Sequence, residues 1–374
     1  MGKKIIRLIA LLCLVLIIVS GCGKKADEVQ QINIGAVLAV TGTQAPFNEP
    51  IIKAIKMAQE EINNAGGING KKLNVIIEDS KGEPQGGVAA FNKLVDVDKV
   101  PAIIGSSSPV IAATLPIAEK KGVVLLDIST VSPKIWEGER HVSFSIYPKA
   151  NIEMVEQARF VYNTLGLKTA AVLAINSETG QSSGTMFSDE FVKLGGKIVS
   201  SERYPANTVQ FQDVLSRVAA AKPEIVTLIG NEEAATVVRQ AREAGFKFQF
   251  ITYSAGVNDK FLQSAGNTCE GVMATTVGWN PEDPSEVVQK FIAAYKNKYN
   301  NENPIVYAAT GYDAVYILTN VLKNTEATSS AIAAAMYKVE FAGASGVTKI
   351  GSDGLAPKQV YIKIVKDGKW TSYK

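Results

Sequence analysis

From residue 32 onward the chain alternates short apolar runs with longer stretches in which apolar side chains recur every third or fourth position. Residues 32–37, 73–78, 102–104 and 123–127 are too short and too evenly apolar for surface helices, and they predict strands buried on both faces. Between them Ile52, Ile55, Ala58 and Ile62 mark one face of a helix over 50–65 that Gly66 and Gly67 close, with further helices over 85–97 and 109–121. Parallel strands need a crossover to return the chain, so this rhythm predicts a parallel sheet with helices on both faces.

The rhythm restarts after Tyr147 and Pro148. Helices over 151–165, 186–194, 211–220 and 232–244 separate strands over 169–175, 197–204, 225–229 and 250–253. The result is an α/β protein of two Rossmann-like, doubly wound lobes. After a strand over 271–275 come helices over 286–299, 307–323 and 330–339, more helix than one crossover uses. Strands over 360–365 and 369–373 then turn at Asp367 and Gly368. A first lobe that gains elements after the second is complete implies several hinge crossings. The division read from this order puts 32–148 and 277–356 in one lobe, and 149–276 and 357–374 in the other.

The strand at 102–104 ends in Gly105, three serines and a proline, Ser106, Ser107, Ser108 and Pro109. Pro109 suits the first helical position and leaves Ser108 as N-cap. The bare N–H groups of that turn would face the carboxyl ends of the strands, where ligands of open α/β sheets bind and where the helix dipole favours an anion. The plain alternative is a capped turn with no ligand.

Composition alters this picture mainly at the N-terminus. Of 374 residues 46% are hydrophobic and 20% charged, an ordinary globular balance. Lys3, Lys4 and Arg7 precede an unbroken apolar run over 8–19, shorter than the roughly 20 residues that span a bilayer. Residues 1–21 therefore predict a signal peptide. The small residues Ser20 and Gly21 before Cys22 resemble a bacterial lipobox, which implies lipidation of Cys22, a tether over 22–31 and an extracytoplasmic, membrane-anchored chain. Without residues 1–21 the formal charge falls from +3 to zero, against an electrostatic footprint for nucleic acid. Cys269 is then the one thiol left in the fold, expected to be a buried hydrophobe.

No catalytic set emerges. His141 is the sole histidine, and no P-loop, zinc pattern or nucleophile elbow is present; Gly180, Gln181, Ser182, Ser183 and Gly184 read as a loop leading into a helix. No metal or cofactor is expected, and an enzyme is the less favoured reading.

Ile34 and Gly35 with Thr41 and Gly42, then Ala65, Gly66, Gly67, Ile68, Asn69, Gly70 and Lys71, then Ile103, Ile104 and Gly105, and finally Gly311, Tyr312, Asp313, Ala314 and Val315 resemble the leucine/isoleucine/valine-binding proteins in order along nearly the whole chain. The resemblance implies a type I periplasmic-binding fold, two lobes joined by three strands and closing on a small-molecule ligand, with ABC permease and ATPase subunits as partners. It implies that Ser108 holds a ligand carboxylate, that Phe47 and Tyr307 line the side-chain pocket, and that Ser129 and Thr130 lie in the loop that holds amine and carboxylate. Against that pattern, Val131 replaces a threonine, Ser254 replaces the acid facing the ammonium, and Thr179 stands at a tyrosine-glycine pair. The second lobe's tyrosine falls near Gly230 and Asn231. A buried ammonium needs a counter-charge, for which Glu178, Glu232 and Asp127 are candidates; otherwise the ligand is an acid without an amine. Tyr147 and Trp279 are either cleft aromatics or hinge packing. A receptor that senses a ligand for a membrane partner, without transport, is the alternative function.

Overall fold

The computed structural model describes residues 31–373 apart from 43, 206, 231 and 232. Cys22, the segment before it and its tether up to residue 30 lie outside the described residues.

The first sheet is wholly parallel. It holds β1 (Gln31–Leu38), β2 (Lys72–Asp79), β3 (Ala102–Gly105), β4 (Val124–Asp127) and β5 (Ser143–Ser145) in the order β2-β1-β3-β4-β5. Successive strand side chains point to opposite faces. Ile34, Ala36 and Leu38 of β1 and Ile104 of β3 pack into one core with α1 (Ala45–Asn64), while Val37 and Ile103 pack into another under α2 (Pro84–Asn92) and α3 (Ser108–Lys121). Gly122, at φ +65°, stops α3 after Lys120 and Lys121, whose charges suit the helix C-terminus.

The second lobe follows the first's plan. After α4 (Ala150–Arg159) come β6 (Thr169–Ile175), α5 (Glu178–Lys193), β7 (Lys197–Tyr204), α6 (Gln212–Ala220), β8 (Ile225–Ile229), α7 (Ala234–Glu243), β9 (Gln249–Thr252), α8 (Asp259–Ala265) and β10 (Met273–Val277). These strands run parallel in the order β7-β6-β8-β9-β10, the same permutation as in the first sheet. Then α9 (Glu286–Lys298), α10 (Val306–Asn324), α11 (Ser329–Met336) and a hairpin of β11 (Glu340–Gly343) and β12 (Gly346–Lys349) return to the first lobe. Phe291 and Tyr295 of α9 and Ala308 of α10 pack on Ala54 and Met57 of α1. Finally β13 (Val360–Lys366) and β14 (Lys369–Ser372) add antiparallel strands beyond β10. The chain thus passes between the lobes after β5, after β10 and after β12, and at the last passage Leu355 bridges Ser145.

Several expectations need correction. The segment from Gly180 to Gly184 is not a loop: α5 begins at Glu178, with Ser177 Oγ accepting from the Gly180 N–H at 3.1 Å. The two glycines let this helix lie close on its sheet, since a Cβ on Gly180 would stand 2.0 Å from the Ile175 carbonyl oxygen. The three-residue β5, helix α8 and the β11–β12 hairpin were too short or too mixed in pattern to be anticipated.

Candidate ligand cleft

In each sheet the strand order reverses once, between β1 and β3 and between β6 and β8, and open α/β sheets bind their ligands at the carboxyl ends of the strands that flank such a reversal. At the first reversal, Ser106 Oγ lies 3.0 Å from Ser129 Oγ, which also accepts the Ser107 N–H at 2.8 Å. Ser107, not Ser108, is the N-cap residue of α3. Its φ of +79° is rare for a residue with a Cβ, and its side chain makes no capping bond. Backbone conformations of this kind cost about 1–3 kcal/mol and persist where their surroundings over-determine them. The early turn places Ser108 inside the helix, half-buried, in the uncapped first turn.

Asp127, at the end of β4, shapes the neighbouring loop. Its Oδ1 accepts the N–H groups of Ser129 and Thr130 at 3.1 and 3.0 Å, and its Oδ2 accepts the Ser145 hydroxyl at 2.6 Å and the Lys149 ammonium at 3.1 Å. Lys149 donates also to the Thr130 carbonyl and to Ser145 Oγ, both at 2.6 Å, and lies 4.7 Å above the Trp136 ring. Burial holds its pKa below the ordinary lysine value, with Asp127 opposing the shift. Asp127 is therefore committed to Lys149 and is not a spare counter-charge for a ligand. Thr130 Oγ1 is buried without a hydrogen-bond partner among the described residues. Nearby, the Thr310 hydroxyl donates to the Ile128 carbonyl at 3.0 Å and pins the start of α10 to this loop, where Tyr307 stacks on Tyr147 with ring centroids 5.5 Å apart. Burial raises the pKa of both tyrosines.

The second lobe contributes a carboxylate that the sequence reading missed. Glu153, in the first turn of α4 and only 7% exposed, accepts the Ser254 N–H at 2.8 Å, the Ser254 hydroxyl at 2.7 Å and the Thr275 hydroxyl at 2.9 Å, all on Oε1. Burial pushes its pKa up to about 7, against the lowering effect of those hydrogen bonds. One turn on, Gln157 donates to the Thr252 carbonyl and Thr275 Oγ1 and accepts from the Thr227 hydroxyl. The available signal was the spacing of Lys149, Glu153 and Gln157, a polar row at every fourth position of a buried helix face. Ser254, which replaces an acid, thus sits directly on one.

Where a tyrosine was expected near Gly230, Tyr204 arrives from the end of β7. Its hydroxyl lies 2.1 Å from where a Cβ on Gly230 would stand, so the glycine makes room for the ring, and Tyr204 also donates to Glu233 at 3.2 Å. Glu232 and Asn231 lie outside the described residues, as does the side chain of Glu178. Phe47 is 57% exposed in the first turn of α1 and Thr179 is exposed in the first turn of α5. Trp279 packs edge-on against Phe291, 5.9 Å between centroids, and is not brought to the Tyr147–Tyr307 pair.

His141 lies on the surface, and Cys269 is buried with its thiol pKa raised by that burial. Among the described residues no group of His, Cys, Asp or Glu could hold a metal ion, and no helix is long and apolar enough to cross a membrane.

Two lobes of one strand order joined by three passages have the architecture of type I periplasmic binding proteins. The chain belongs to the periplasmic binding protein family, whose profile matches residues 31–369, and stands with its leucine/isoleucine/valine-binding members. It is 30% identical over 302 residues to an amino acid binding protein of Pseudomonas aeruginosa, covering 78% of this chain and 79% of that one. It is 27% identical over 333 residues to the leucine-, isoleucine-, valine-, threonine- and alanine-binding protein of the same organism, 88% of each chain. The branched-chain amino acid transporter substrate binding protein of Streptococcus pneumoniae, solved with isoleucine, superposes with a TM-score of 0.78 at 26% identity, covering 92% of this chain and 98% of that one. These relatives and the shared fold are those of binding proteins, not enzymes.

Proposed function

We propose that the chain is the extracytoplasmic solute-binding lipoprotein of an ABC importer, and that it closes its lobes on an amino acid of branched-chain type or a related small carboxylate. The lobes would comprise 32–148 with 277–356 and 149–276 with 357–374. The observation that carries this reading is the start of α3, where Ser107 is held at positive φ, its side chain makes no capping bond, and the hydroxyls of Ser106 and Ser129 lie 3.0 Å apart in the loop that continues to Thr130. Helix N–H groups with hydroxyls around them receive a carboxylate. In this reading Ser108, Ser129 and Thr130 hold the carboxylate, Tyr147 and Tyr307 close over it, and Phe47 on one rim and Thr179 on the other meet the ligand on closure. The ligands named for the relatives favour an amino acid.

Ser108→Ala tests the carboxylate site. A hydrogen bond to a charged group contributes about 1.5–3 kcal/mol, so leucine affinity is expected to fall by roughly 10- to 150-fold. Calorimetry with leucine and leucinamide separates this loss from a general one: wild type prefers the acid, and the variant loses most of that preference. Equal leucine affinity in the two proteins places the anion elsewhere.

The anchor is tested at Cys22. Two acyl chains give stable membrane attachment where one is marginal, so Cys22→Ala is expected to move the protein from the membrane to the soluble fraction. A variant that still sediments wholly with membranes contradicts lipidation at this residue.

A further inference from the structure

Glu153 is a buried carboxylate without a cation. Among the described residues no lysine or arginine pairs with it, and its three donors are neutral and all on Oε1. Lys149, one turn earlier, is turned to Asp127. The groups that face Glu153 from the elements around it are Tyr147 before α4, Tyr307 of α10 and Tyr253 after β9, whose hydroxyls its charge makes harder to ionise. Tyr253 faces Glu233 as well. A carboxylate walled by tyrosines, out of water and lacking a counter-ion, has the chemistry that recognises an ammonium group.

We propose that Glu153 supplies the counter-charge for a primary ammonium on the ligand, making this cleft selective for an amine-bearing acid although Ser254 is not acidic. Ser254 and Thr275 act as positioning residues that hold Oε1 and leave Oε2 for the ligand. The proposal rests on reading the cleft as a site for a small carboxylate. It also carries a proton balance. Burial pushes the pKa of the free Glu153 carboxyl up to about 7, so part of the population holds that proton at neutrality. An ammonium beside it lowers that pKa, and binding releases the proton to solvent. Affinity for the amine therefore rises with pH up to about 7, then levels off until the ligand amine itself deprotonates.

The test is calorimetry on the full chain in mild detergent, with leucine and its desamino counterpart 4-methylpentanoate, in buffers of different ionisation enthalpy at pH 6, 7 and 8. Wild type is expected to favour leucine and to release a proton fraction that shrinks from pH 6 to pH 8. In Glu153→Gln the ratio of leucine to 4-methylpentanoate affinity is expected to fall by about 30-fold or more, and the proton release to vanish. A variant with the wild-type ratio overturns the proposal. So does a wild type that binds leucine without releasing a proton, a measurement that does not depend on the variant folding. A wild type that binds 4-methylpentanoate and rejects leucine overturns it while leaving the carboxylate site standing, whereas binding of neither overturns both readings.

Discussion

Asp127→Ala is expected to destabilise the protein by about 3–5 kcal/mol, the usual cost of removing one member of a buried ion pair. The change leaves Lys149, 4% exposed, without its counter-charge, and strands the N–H groups of Ser129 and Thr130. Urea unfolding followed by circular dichroism measures the loss as a shift of midpoint at constant slope. Because a buried pair is often no more stabilising than apolar side chains of similar volume, adding Lys149→Met to Asp127→Ala is expected to restore part of the stability. Ligand binding should not return with it, since the Ser129–Thr130 loop still lacks its acceptor. A single variant with the wild-type midpoint contradicts this account.

The second large effect is expected at Asp313 of α10. Its carboxylate accepts the N–H groups of Ala344 and Ser345, both at 2.7 Å, and the Ser345 hydroxyl, and so ties the β11–β12 hairpin to the first lobe. Lys358, also buried, donates to the Ser345 carbonyl at 3.1 Å and to Thr348 Oγ1, and Asp313 offsets part of its desolvation. Asp313→Ala should again cost about 3–5 kcal/mol. Its pH dependence has a definite sign. Burial lowers the Lys358 pKa from 10.5 to about 8, so the unfolded chain binds the extra proton between those values and this group makes stability rise with pH across that window. Without Asp313 the folded pKa falls further and the window opens at lower pH. The deficit of Asp313→Ala relative to wild type should therefore narrow between pH 7 and pH 9, and a constant deficit counts against the coupling.

The strands were legible in the sequence because burial on two faces makes them uniformly apolar, as in Ile103 and Ile104 or Val226 and Leu228. Features set by distant partners were not. The beginning of α5 was hidden because Gly180 and Gly184 are poor helix formers whose role is close approach to Ile175 and Val172. The cap of α3 was placed one residue late because a serine carries no mark of the positive φ that Ser107 adopts. At the cleft, Ser108, Ser129 and Tyr307 stood out through the family pattern, and Ser254 stood out as a departure from it. Glu153 did not, since its partners Ser254 and Thr275 lie 101 and 122 residues away along the chain. A compensating carboxylate on another element is invisible until the fold brings the two together.

The first lobe is finished by chain that comes after the second. Tyr312 on α10 donates to Glu61 on α1 across 251 residues, and Thr310 reaches Ile128 across 182. While the protein is being made, β1 to β5 therefore wait with one face covered only by α1 until α10 emerges, whereas most of the second lobe can assemble as soon as β10 is complete. Contacts of such long range are expected to make the first lobe fold after the second, with pulse-labelled hydrogen exchange as the check. A stop in translation before residue 306 therefore leaves the sheet of the first lobe half built and exposed to aggregation, even though the second lobe has its strands β6 to β10.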